Sequence, residues 1–141
     1  MTGNDLLMRY WNGSVPIDIE KIAESCGCGL FMTDDFANGC LKGNIIYFPT
    51  SCSMQKRRFI VAHLLGHFVN GHGVQVEDVK NFSDQATGIE KIANNFASDI
   101  LVPVRVLKYL VGDGCTNISE LSALFAASEV LVAHQLSKIF E

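Results

Sequence analysis

The sequence predicts an α+β fold, a small twisted sheet packed against a helical bundle with a histidine-bearing helix at its centre. Three observations carry that expectation. Strand-like segments rich in β-branched and aromatic residues come early in the chain, and helical patterns follow them. One helical segment is apolar around almost its whole circumference, which suits only the middle of a molecule. No repeat, low-complexity tract or Pro/Ser-rich linker divides the 141 residues, so residues 1–141 read as one domain, long enough to bury a core.

The elements follow in order. Asn4 to Trp11 forms a short amphipathic helix. Asp18 is a good N-cap for a helix running to Ser25, with Ile17 and Ile22 at the two staple positions and Gly27 supplying the C-cap. Leu30 to Thr33 reads as a short strand. Cys40 to Lys42 and Asn44 to Phe48 read as a hairpin through Gly43, and Pro49 ends its second arm. Ser53 caps the central helix, placed from about Gln55 to Val69, and Asn70-Gly71 and Gly73 stop it. Residues 74–87 are polar and read as loop. A helix from Ile89 to Leu101 ends at Pro103, Val104 to Val111 forms another, and Asn117 to Ala126 with Ser128 to Phe140 make a closing helical pair.

Composition narrows the function classes. Apolar residues make up 48% and charged residues 18%, an ordinary globular balance rather than a disordered one. A net charge of −4 supplies no bulk basic field for phosphate backbones. The N-terminus has no basic n-region with an apolar run behind it, and no segment approaches the ~20 apolar residues that span a bilayer. Five cysteines, an odd count, fit reduced thiols in a cytoplasmic protein. Cys26-x-Cys28 has one intervening residue and is a weak metal signal.

The stretch "AHLLGH", residues 62 to 67, holds two histidines four apart. On a helix that spacing puts both imidazoles on one face, where they can converge on one ion. Two imidazoles hold zinc poorly, and a third protein ligand must come from elsewhere. Glu90, in "GIEKIANNFASDILVP", can supply it, and Asn94 one turn later can fix a ligand histidine's outer nitrogen. Each residue has an ordinary alternative. Buried paired histidines are commonly packed and hydrogen-bonded without metal; Thr87-Gly-Ile-Glu90 fits a capping box; Asn94 fits a solvated helix face.

From Val15 to about Glu141 the chain resembles the ImmA/IrrE family of zinc metallopeptidases. "VPIDIEKIAES" is similar to that family's opening helix, and "KRRFIVAHLLGHFVNGH" to its R-R-F-x-x-A-H-E-x-G-H stretch. "EKIANNFASDILVP" is similar to its E-x-x-A-N-x-F-A-x-x-L-L-x-P segment, and "ISELSALFAASEVLVAHQL" to its closing helical pair. The resemblance implies a zincin-like architecture and one zinc ion held by His63, His67 and Glu90, with Asn94 behind them. It also implies recognition of helix-turn-helix repressors of phage, mobile-element or stress systems.

The chain departs from the family at one position. Leu64 stands where the family has the glutamate that takes a proton from water and passes it to the leaving amine. Leucine accepts no proton, so the general base is missing while the ligands remain. Three explanations are open. The chain is a non-catalytic relative that keeps zinc as a clamp and binds a protein, the reading preferred here. Another base has been recruited from Glu77, Asp78 or Asp84 in the polar segment, although nothing in the sequence places any of them over the metal. Or the leucine is an engineered knock-out, for which Gln or Ala would be the more natural choice.

His72 is a candidate accessory ligand or proton donor, against the commoner reading of a polar residue just past a helix end. His134 reads as surface or packed in the last helix. Cys40 or Cys52 as a thiolate plug on the zinc is weighed against buried, inert thiols. Lys56-Arg57-Arg58 opposes the dipole of the central helix and suggests salt bridges or a substrate-facing rim. Direct DNA binding through the closing pair is the lesser alternative, since its second helix offers only Lys138 as a cation.

Overall fold

Side-chain caps start most of the helices where the sequence places them. In the computed structural model, which describes residues 1–77, 82–83 and 85–140, Thr2 and Asp5 form a reciprocal capping box on α1 (Gly3–Tyr10). Asp18 accepts from the Lys21 N–H at the head of α2 (Ile19–Ser25). Ser53 does the same for Lys56 on α3 (Met54–Val69). Each such cap satisfies an orphan amide and is worth about 1 kcal/mol. The later helices are α4 (Gly88–Leu101), α5 (Val104–Gly112), α6 (Ile118–Phe125) and α7 (Glu129–Ile139), with Asn117 and Ser128 capping the last two.

The sheet combines β1 (Gly29–Met32), β2 (Cys40–Lys42), β3 (Ile45–Phe48) and β4 (Gln75–Val76) in the order β1-β3-β2-β4. The hairpin expected through Gly43 is formed, Leu41 opposite Ile46 in antiparallel register. β1 adds to β3 in parallel, and β4 adds to β2 antiparallel, Cys40 opposite Val76. β4 corrects the expectation of loop throughout residues 74–87.

α3 contacts α2, β2, β3 and α4, and it is the centre the sequence predicted. Every residue from Phe59 to His67 is buried. Full burial of side chains such as Ile60, Leu64 and Leu65 is worth ~1.5–3 kcal/mol each. Two glycines set how closely its neighbours approach. A Cβ on Gly66 would lie 3.0 Å from Phe96 of α4. Gly39 has φ +92°, and a Cβ there would lie 2.6 Å from Ile60 Cγ2 and 3.0 Å from Leu64 Cδ1, so the chain entering β2 rests directly on α3.

The basic cluster at the head of α3 is absorbed by the fold. Arg57 pairs with Glu20 and lies 4.6 Å over the Phe48 ring. Arg58 donates to the Ala126 and Phe125 carbonyls at the end of α6. Gln135 of α7 is buried and donates to the Ser98 and Val102 carbonyls, tying the closing pair to the end of α4. Among the described residues no helix is long and apolar enough to cross a membrane.

Candidate metal centre

The i, i+4 spacing of His63 and His67 on α3 brings their Nε2 atoms to 3.2 Å from one another. Glu90 enters from the first turn of α4, with Oε2 3.0 Å from His63 Nε2 and Oε1 3.0 Å from His67 Nε2. Thr87 is the N-cap residue of α4 but makes no side-chain capping bond, so the alternative capping box does not form and the Glu90 carboxylate faces the histidines instead. The structure therefore brings together the three residues that the resemblance implied as ligands.

A fourth residue joins them. Glu77, just past β4, places Oε2 3.4 Å from His63 Nε2 and Oε1 3.0 Å from His67 Nε2. Its own N–H donates to the Gly39 carbonyl at 3.1 Å, continuing the β2–β4 ladder by one residue. Donor atoms of His63, His67, Glu77 and Glu90 all lie within 4.8 Å of one another. The sequence weighed Glu77 as a recruited base with nothing to place it; a two-residue strand places it. Asp78 and Asp84, weighed beside it, lie outside the described residues.

The cluster is buried. His63 is 2% exposed and His67 0%, whereas side-chain exposure is 4% for Glu77 and 29% for Glu90. Without an ion, burial opposes charge on His63, but Glu77 and Glu90 outweigh it and push its pKa up to about 9. Burial likewise works against ionised Glu77, yet the two histidine rings beside it hold it well below the usual carboxylate range.

These residues fit a divalent cation. Glu77 Oε1 has no hydrogen-bond partner among the described residues, because its contact with His67 lacks hydrogen-bond geometry. Two ring nitrogens also face each other across 3.2 Å, an arrangement that needs a proton or cation between them. Two carboxylates with two neutral imidazoles carry a charge of about −2, which one divalent ion neutralises in a site that burial would otherwise penalise. Nitrogen and oxygen donors in this number suit zinc.

Support behind the cluster differs from the expectation for Asn94. Its amide donates to the Ser83 carbonyl at 3.1 Å, while Asn94 Oδ1 and His63 Nδ1 both lack partners among the described residues. Asn94 thus holds Ser83, and among the described residues no hydrogen bond joins it to His63 or His67. His72 meets the outer side of His67, its Nδ1 2.8 Å from His67 Nδ1. With a cation on His67 Nε2, Nδ1 would carry the proton and donate it to His72. Burial, then the neighbouring His67, holds the His72 pKa below its ordinary value, which favours the neutral acceptor. His72 sits behind His67 rather than among the converging donors.

Leu64 is fully buried, its Cδ1 against Gly39 and beside Ile60. All five cysteines are free, and neither Cys40 nor Cys52 is part of the cluster. His134 lies in ring contact with Phe82. Lys138, the cation that a DNA-binding closing pair would offer, is paired with Asp99 at 3.2 Å.

A buried helix with paired histidines, a carboxylate from the next long helix and a small mixed sheet on the same core define a zincin-like metallopeptidase fold. The family model described as Peptidase M78, IrrE N-terminal-like domain, matches residues 28–137, and the chain belongs to that family. The match starts at Cys28, so α1 and α2 lie ahead of it. Comparison with curated proteins gives no match. The family is zinc-dependent, and the histidine–glutamate cluster falls within the matched residues.

Proposed function

We propose that this chain is a peptidase-fold protein that keeps a metal clamp, performs little or no proteolysis, and acts as a regulatory module by binding a protein. The partner class is the helix-turn-helix repressor of phage, mobile-element or stress systems. The observation that carries this reading is Leu64, wholly buried at the position of the family's proton-accepting glutamate. When bound, zinc supplies a Lewis acid and two positive charges. His63, His67 and Glu90 hold it, and Leu64 offers nothing that takes a proton from water or returns one to a leaving amine. General acid–base assistance is worth roughly 10²–10⁴-fold, so its loss alone nearly silences peptide hydrolysis.

The alternative is an active endopeptidase with Glu77 as the substitute base, and the Glu77 carboxylate at the cluster is the observation in its favour. Against it stands direct contact with both ring nitrogens, which leaves no room for a water between Glu77 and the donors. Incubating the purified protein with candidate helix-turn-helix repressors, with and without chelator, separates the two. Stoichiometric complex without fragments is the expected result. Fragments that disappear on chelation would overturn the binding-module reading.

A further inference from the structure

We propose that Glu77 is a fourth protein ligand, closing a coordination sphere that a peptidase leaves open to water. The resemblance implied three ligands only. The proposal rests on reading the cluster as a metal centre without proteolysis, and it explains how such a centre is sealed.

Geometry distinguishes a ligand from a base. Donor atoms ~2.0–2.2 Å from a tetrahedral ion stand about 3.3–3.6 Å from one another. Glu77 Oε2 is 3.4 Å from His63 Nε2 and Oε1 is 3.0 Å from His67 Nε2, close to such an edge and similar to the Glu90 contacts of 3.0 Å. A general base works through a water and stands a further hydrogen bond, ~2.6–3.2 Å, beyond the reacting atom. Glu77 is too close to the rings for that.

Burial points the same way. The Glu77 side chain is 4% exposed, and its ion-pair partners among the described residues are His63 and His67. Among the described residues no arginine or lysine compensates it, and Oε1 has no hydrogen-bond partner. A buried carboxylate oxygen in that state is costly unless a cation meets it. β4 aims the side chain. Pairing with β2 puts Val76 outward and Glu77 inward, and the Glu77 N–H bond to Gly39 fixes the register. Gly39 also rests against Leu64, so the residue that replaces the base lies under the segment that delivers the new carboxylate. A glutamate at position 64 would add a third negative charge beside Glu77 and Glu90; leucine does not.

Cobalt(II) substitution tests this without any activity assay. Visible absorption of the cobalt protein is followed during metal titration and then during addition of azide, which binds only where a coordination position is open or water-filled. The wild type should take up one cobalt with a four-coordinate spectrum that azide leaves unchanged. Glu77→Ala should bind cobalt more weakly by on the order of 100-fold or more, beyond the effect of losing a group behind a ligand, and its spectrum should shift with azide. Glu77→Gln, isosteric and uncharged, carries the same test if the alanine variant does not fold. The proposal is overturned if azide shifts the wild-type spectrum as it does the variant's, if the variants keep wild-type affinity and spectrum, or if cobalt is not taken up. An azide-sensitive wild type that leaves repressors intact would sink the fourth ligand but not the proposed function. Chelator-sensitive repressor fragments would sink the function whatever the spectrum.

Discussion

On the proposed reading, position 64 is where the chemistry of this protein parts from that of its family, and its surroundings decide what a glutamate there would do. Leu64 is completely buried against Gly39 and Ile60, and Gly39 in turn accepts the N–H of Glu77. Leu64→Glu exchanges well-packed apolar volume for a carboxylate in a place already holding two. In the metal-free protein we expect a loss of about 2–5 kcal/mol, read as a lower thermal midpoint. We expect no gain of repressor cleavage while Glu77 fills the site. A variant that melts with the wild type and cleaves would show that the position was kept ready for a base. The convergence of His63, His67 and Glu90 could be read from one sequence because helical spacing and three ordered motifs are local patterns. The hydrogen bond that Asn94 makes was not legible for a different reason: which partner an amide chooses depends on Ser83, which no spacing rule brings to α4.

Helices were readable from their caps, and the α3–α4 pair shows why that suffices for most of the site. Asp18 and Ser53, read as caps, mark helix starts chemically, Asn117 and Ser128 do so as well, and all four accept the backbone N–H three residues on. β4 left no comparable mark. Its alternation is inverted, with Val74 and Val76 exposed and Glu77 buried, because Glu77 turns to the histidine–glutamate cluster rather than to the apolar core. A period-two reading of Val74-x-Val76 would have found the strand but turned the wrong face inward. The spacing of α3 and α4 rests on Gly66, where a Cβ would sit 3.0 Å from three atoms of Phe96. Gly66→Ala should therefore cost about 1–3 kcal/mol by overpacking. Because the same contact sets how far Glu90 stands from His63 and His67, metal affinity should fall with it. Calorimetric titration beside a denaturation curve checks both; unchanged affinity in a destabilised variant would mean that helix spacing does not set the site.

Three segments distant in sequence meet at the donors: α3 gives His63 and His67, the end of β4 gives Glu77, and α4 gives Glu90. An ion held there links the sheet edge to the helical core, so metal and fold should share one free energy. Free ion at 1,000 times its dissociation constant stabilises by about 4 kcal/mol, and at this chain length that is roughly 10 °C of thermal midpoint lost on chelation. The loss should depend on pH in a direction the site fixes. In the metal-free protein His63 is raised from 6.5 to about 9 by Glu77 and Glu90 against the opposing effect of burial. Its contribution is full below pH ~6.5 and disappears as pH rises through about 9. Glu77 is depressed, so its contribution is present above its ordinary value of 4.5 and lost on acidification. The metal-free form should thus be most stable between about pH 5 and 7 and weaken on both sides. Metal must expel the His63 proton, so affinity should rise about tenfold per pH unit between pH 7 and 9. The gap between loaded and chelated midpoints should accordingly be wider at pH 8.5 than at pH 6, as differential scanning calorimetry at the two values would show. A gap that is constant or narrows with pH would mean that the ion displaces no proton from His63, and that the histidine–carboxylate pairs are not what holds the metal-free site together.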